Sequence, residues 1–216
     1  MRLVLASTSP RRREIVEALV PTPECVAPVG DESPPRPGEL PEEYVLRLSL
    51  DKARSVADGV DTATVLGADT VVAVDGEILG KPVDVDDAIR MLRLLRGRAH
   101  SVFTGVAVLD AQTGKSAAVA CQSRVTIRPL SDAELFDYIA LENPMDKAGA
   151  YAVQDKSASL AELVAGCYLN VVGFPLCEAM ALLAGFSARP QLRSGWQPPF
   201  ECVDCALSQR LEVHIP

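Results

Sequence analysis

Hydrophobic and polar positions along the chain switch between two periods, and each switch marks the edge of an element. Leu3 to Ala6 is a short apolar run that predicts a buried strand. Ser9 and Pro10 after it predict a helix start, Ser9 as the cap and Pro10 in the first turn, with the helix closing near Val20-Pro21. A second strand is expected over Glu24 to Val29, then a breaker-rich loop from Gly30 to Gly38. Pro41 opens a helix to about Asp58, with Tyr44, Val45, Leu48 and Val56 on one face and Glu43, Arg47, Asp51 and Arg54 on another. The apolar run Thr64 to Val74 turns at Asp75-Gly76 and returns through Glu77-Ile78-Leu79, a hairpin signal. Asp84 caps a helix to about Arg96, and Ser101 to Leu109 and Ala117 to Ile127 alternate as paired strands. Ser131-Asp132-Ala133-Glu134 is a capping box, Ala150 to Val153 is strand-like, and a last helix runs from Pro175 to about Gly185. This order predicts an α/β fold around a mostly buried central sheet, without fixing its topology.

Two charged residues break the pattern. Lys52 falls inside the apolar arc of its helix, one turn after Leu48 and one turn before Val56. It either snorkels to water or meets a buried anion. Asp69 ends an apolar strand run, where an isolated charge is costly unless it is paired or functional. An acidic cap on the following turn is the alternative.

Net charge is −8, which argues against a general nucleic-acid or anionic-membrane surface. Against that background Arg11, Arg12 and Arg13 crowd the first turn of a helix, where the peptide dipole already disfavours cations. Beside the hydroxyls of Ser7, Thr8 and Ser9, they make sense around an anion such as phosphate, which Arg binds bidentately. A solvent-facing basic turn is the alternative. No apolar run is long enough to span a bilayer, and the N-terminus lacks the apolar stretch of a secretory signal, so a cytoplasmic protein is expected. The six cysteines are then expected as free thiols. Cys202 and Cys205 have redox-pair or half-zinc-site spacing, but no second pair lies near them.

Five motifs occur in order: Ser7-Thr8-Ser9-Pro10-Arg11-Arg12, Gly67-Ala68-Asp69-Thr70, Gly80-Lys81-Pro82, Asp146-Lys147-Ala148-Gly149-Ala150-Tyr151, and Asn170-Val171-Val172-Gly173-Phe174-Pro175-Leu176. Each alone is weak; together they resemble the Maf family of nucleoside triphosphate pyrophosphatases. The resemblance implies the Maf/HAM1 (ITPase-like) α/β fold over residues 1–187, with a mixed central sheet, two lobes and a nucleotide cleft. Residues 188–216 are left as a tail outside the pattern. It further implies hydrolysis of the α–β phosphoanhydride to a monophosphate and pyrophosphate, keeping unwanted nucleotides out of nucleic acid. Asp69 stands at the family's proton acceptor, and Glu32 is favoured over Asp31 as its companion acid. Lys52 and Lys81 add positive charge, while Ser7, Ser9, Arg11 and Arg12 hold substrate. Glu32 and Asp69 would hold a divalent cation, Mg²⁺ or Mn²⁺, which needs only one or two protein carboxylates beside phosphate oxygens. Arg11, Thr70 and Gln154 match the subgroup acting on dTTP and UTP. Asp155 departs from that subgroup's usual glycine, which leaves base preference open. The resemblance admits a homodimer. Other readings are the same chemistry on another or modified base, and a non-catalytic nucleotide-binding regulator of cell division.

Overall fold

A computed structural model of the protein describes residues 2–30, 32–141, 144–154, 160–186, 190–197, 199 and 202. The elements follow the chain as β1 (Leu3–Ala6), α1 (Pro10–Val16), β2 (Glu24–Cys25), α2 (Pro41–Ala57), β3 (Thr64–Val74), β4 (Glu77–Leu79) and α3 (Val85–Leu95). Then come β5 (Ala99–Asp110), β6 (Ser116–Ile127), α4 (Asp132–Leu141), β7 (Ala161–Ala165), α5 (Tyr168–Val172) and α6 (Leu176–Ala184). The strands form one mixed sheet in the order β2-β1-β3-β5-β6-β7, with β4 also on β3. β2, β1 and β3 run parallel, and the other pairings are antiparallel.

Three expectations change. Helix α1 stops at Val16, and β2 pairs over two residues only. Ala150 to Val153 forms no strand. Gly149 and Ala150 both take positive φ there, 68° and 62°, a conformation that breaks a ladder. The strand of that region is β7, at the edge beside β6. Asp155, Cys205 and Phe200 lie outside the described residues.

Side-chain alternation along β3 and β5 organises the core. On one face the paired positions read Leu66–Val108, Ala68–Val106, Thr70–Thr104 and Val72–Val102. The first two pairs belong to a core with Ile15, Phe174 and Leu183 of the α1, α5 and α6 side. Val72 and Val102 belong to another, with Leu92, Leu95 and Leu135 of α3 and α4. The one polar pair among these four, Thr70 and Thr104, therefore falls where the two lobes meet. Described residues of the tail join the first lobe: Leu192 and Trp196 pack against it, Cys202 is buried in it, and the Arg193 amide donates to the Ala18 carbonyl at 2.8 Å.

Helix α2 covers the opposite face. Its Glu43 carboxylate accepts the Leu40 amide at 3.0 Å, closing the start of the helix. Two glycines let its backbone lie on the sheet: a Cβ at Gly67 would sit 2.1 Å from the Ser49 carbonyl oxygen, and one at Gly105 would sit 2.2 Å from that of Val45. Neither glycine has a positive φ, so the requirement is one of space alone. Gly105→Ala must push the helix off the sheet. It is expected to destabilise the protein by about 3 kcal/mol or more, read as a lowered urea midpoint.

Candidate active site

The close seating of α2 places Lys52 directly over Asp69 of β3. The Lys52 ammonium donates to Asp69 Oδ1 and, at 2.6 Å, to Glu32 Oε1. The side chains of Lys52 and Asp69 are 12% and 6% exposed, so the pair is largely shielded from solvent. Burial pushes the Asp69 carboxyl above the usual aspartate range, against the pull of Lys52 and Arg12. Burial also works on Glu32, but there Lys52, Lys81 and Arg12 together outweigh it and hold the carboxyl below its ordinary value. Two carboxyls sharing one ammonium are thus driven in opposite directions.

The loop carrying Glu32 is pinned by Arg47, a residue whose sequence pattern put it on the polar face of α2. Its guanidinium spans both Glu39 carboxylate oxygens, each at 2.7 Å, and reaches the Pro34 carbonyl at 3.2 Å. The hydrogen bond from Arg47 holds the Glu39 carboxyl down to about 2.

A cleft of about 270 Å³ opens at this point, lined by all ten residues singled out above: Ser7, Ser9, Arg11, Arg12, Glu32, Lys52, Asp69, Thr70, Lys81 and Gln154. It sits at a gap in the sheet. β1 pairs with β3 as far as Gly67, and β4 pairs with it from Val72 onward. Between them no described strand covers the edge of β3 over Ala68 to Val71. Asp69 and Thr70, which point to opposite faces of the sheet, therefore both reach one cavity around an open edge.

The arginines differ from a simple phosphate clamp. Arg12 donates to the Gly173 carbonyl at 2.9 Å, the Ala68 carbonyl at 2.8 Å and Thr70 Oγ1 at 3.1 Å, tying α1 to β3 and to the end of α5. Arg11 donates to the Asp146 carboxylate at 2.8 Å and the Asp146 carbonyl at 2.9 Å. Lys147 donates to the other Asp146 oxygen at 2.7 Å, so this acid sits between two cations at the cleft. Ser9 makes no side-chain cap bond, while Ser7 Oγ accepts the Ser9 amide at 3.2 Å. Lys81 is placed from behind: the Gly149 amide donates to the Gly80 carbonyl at 3.0 Å, joining the two loops.

Sequence reasoning assigned no role to Asp146, Lys147, Tyr44 or Tyr151, all of which line the cleft. Asp146, Lys147 and Tyr151 stand in a recognisable motif. Nothing local separates them from ordinary charged and aromatic residues, and only the fold brings them to Arg11. Tyr151 is fixed by His100, whose Nε2 lies 2.7 Å from its hydroxyl. Burial pushes the His100 imidazole down to about 4.

An acid pair bridged by a buried lysine, ringed by further cations around a small cavity, defines an α/β protein with a cleft for a compact polyanion. The family model described as Maf-like protein matches residues 2–186, and the chain belongs to that family. It is 46% identical over 180 residues to the dTTP/UTP pyrophosphatase of Geobacter sulfurreducens, covering 83% of this chain and 93% of that one. It is 45% identical over 184 residues to the dTTP/UTP pyrophosphatase of Pelotomaculum thermopropionicum, covering 85% and 96%. Similarity to the dTTP/UTP pyrophosphatase of Dehalococcoides mccartyi, 38% over 205 residues, takes in 95% of this chain and so reaches into the tail; it covers 91% of that relative. A solved nucleoside-triphosphatase / dITP/XTP pyrophosphatase from Mycobacterium abscessus superposes with a TM-score of 0.36 at 15% identity, over 60% of this chain and 76% of that one. That match is too loose to add to the assignment. No helix among the described residues is long and apolar enough to cross a membrane.

Two outcomes follow from these buried charges. Lys52→Met leaves Asp69 and Glu32 without their shared cation and is expected to cost about 3 kcal/mol in chemical denaturation. Adding Asp69→Asn to that variant should recover much of the loss, because the uncompensated charge goes with it. His100 has a folded pKa of about 4, below its unfolded value of 6.5, so the unfolded chain binds more protons between them. Its contribution to stability is complete above pH 6.5 and fades as pH falls toward 4. Across that window the urea midpoint should drop more steeply in the wild type than in His100→Gln.

Proposed function

We propose that this protein hydrolyses the α–β phosphoanhydride of dTTP and UTP, releasing the nucleoside monophosphate and pyrophosphate. The observation that carries the reading is the Glu32–Lys52–Asp69 cluster facing Lys81, in the same cleft as Thr70 and Gln154. The names of the relatives support it. In this reading a water oxygen attacks the α-phosphorus and Asp69 takes its proton; the raised pKa of Asp69 suits it to a general base working near neutrality. The bond from the α-phosphorus to the bridging oxygen breaks, and pyrophosphate leaves with the electron pair. Lys81 and Arg11 meet the growing negative charge, with Ser7 and Ser9 donating to phosphate oxygens. Lys52 holds Asp69 and Glu32 in place. Arg12, committed to three protein acceptors, acts chiefly by fixing the residues on either side of Asp69, the Ala68 carbonyl and the Thr70 hydroxyl.

The donor set also fits a divalent cation. Glu32 and Asp69 each use one carboxylate oxygen on Lys52, leaving the other oxygen of each for Mg²⁺ or Mn²⁺. When bound, such an ion supplies charge neutralisation on the phosphates. The base would meet Thr70 and Gln154, beside the apolar wall of Val72, Val102 and Val171. Pool control of nucleotides in the cytoplasm is the role this activity would serve.

The full chain, assayed with Mg²⁺ on dTTP, UTP, CTP, dGTP and methylated GTP, should release pyrophosphate from the first two. Asp69→Asn should lower kcat by about 10³. The base must be deprotonated, so activity falls as pH drops through the Asp69 pKa, and the acid limb should lie above the ~3.9 of a free aspartate. Orthophosphate in place of pyrophosphate, or turnover insensitive to Asp69→Asn, would overturn the assignment.

A further inference from the structure

The hydroxyls of Thr70 and Thr104 belong to a chain of three hydrogen bonds. Arg12 donates to Thr70 Oγ1 at 3.1 Å, Thr70 Oγ1 and Thr104 Oγ1 are 2.9 Å apart, and Thr104 Oγ1 donates to the Asn170 carbonyl at 2.9 Å. A guanidinium can only donate, and a carbonyl can only accept. Between those two ends each hydroxyl has a single proton, so three bonds can form only if both hydroxyls donate in the same sense, away from Arg12. Thr104 spends its proton on Asn170, and Thr70 spends its own on Thr104. The charged donor at one end polarises the whole chain in that direction.

The Thr70 oxygen therefore has no proton left for the cleft that Thr70 lines, only a lone pair. Thr104 is fully buried and does not line the cleft, yet it decides this. We infer that Thr104, through Thr70, makes the base site an obligate hydrogen-bond acceptor for the ring N3–H of uracil and thymine. Thr104 is thus a positioning residue for base choice. Cytosine offers an unprotonated N3 at that place, so two lone pairs face each other and neither finds a donor, the kind of mismatch that discriminates most strongly. The inference rests on the pyrimidine triphosphate reading above and deepens it.

The test is the ratio of kcat/KM for UTP to that for CTP in the full-length enzyme. Thr104→Val keeps the shape of the side chain and removes its oxygen. The Thr70 proton then has no partner inside the lobe and turns to the cleft as a donor. The ratio should fall by about tenfold or more, through a loss on UTP and a gain on CTP, while Thr104→Ser restores it. Thr104→Ala serves the same purpose if the valine variant folds poorly, and urea midpoints establish that each variant is folded. A merely structural role would lower both substrates together and leave the ratio unchanged, which would overturn the inference. Wild-type enzyme that releases pyrophosphate from UTP with an unaltered ratio in Thr104→Val sinks the inference alone. Wild-type enzyme that does not prefer UTP and dTTP to CTP sinks the underlying assignment as well.

Discussion

Everything at this site depends on a polar rung set into an otherwise apolar ladder. β3 and β5 run through both lobes, and from Leu66–Val108 to Val72–Val102 their shared face would be a continuous hydrophobic surface but for Thr70 and Thr104. A fully buried hydroxyl and a half-buried one in such a place would be costly if unpaired. They are satisfied by Arg12 from α1 and by the backbone of α5, and these partners can reach them only where the lobes meet. Asn170 extends the seam to the next strand, its side-chain amide donating to the Val102 carbonyl at 3.1 Å and to Ser123 Oγ at 2.9 Å. The cleft is thus where the two cores are kept from fusing.

The other face of the same strands obeys a different constraint, that of distance. A lysine can be held over a buried aspartate only if its helix comes unusually close to the sheet. Gly67 and Gly105 provide that closeness, one on each strand. Once there, the ammonium joins an acid buried by the fold to an acid delivered by a loop, and the loop is held by Arg47 from the same helix. One helix therefore sets both members of the acid pair.

Much of this was legible in the residues themselves. Lys52 inside an apolar arc and Asp69 after an apolar run each contradicted their surroundings, and the structure pairs them with each other, with Asp69 inside β3 and not at a strand end. A misplaced charge is visible in one dimension because burial is encoded by periodicity. The long antiparallel strands and the capped helices were equally plain. Two kinds of feature leave no such mark in the residues. β7 and the left-handed turn at Gly149-Ala150 were confused because a short apolar run does not reveal whether its backbone is extended. Arg47, Asp146 and Thr104 looked like ordinary surface or strand residues, since their roles come from partners far away in sequence: 135 positions separate Arg11 from Asp146, and 66 separate Thr104 from Asn170.

Asp69 and Thr70 are consecutive residues, yet they face opposite sides of a strand whose edge no described strand covers for four positions. The groups that surround them meet at Arg12 of α1, which bonds Thr70 and pulls on the Asp69 carboxyl; beyond it, α2 and its loop serve Asp69, while β5 and α5 serve Thr70. With the roles proposed above, substitutions at Thr70 or Thr104 would alter recognition while leaving the Glu32–Lys52–Asp69 cluster in place. The fold would keep its chemistry and change its vocabulary. On the assignment proposed above, an uncovered stretch of strand edge, usually a hazard to be hidden, becomes the place where one reaction can be matched to different nucleobases.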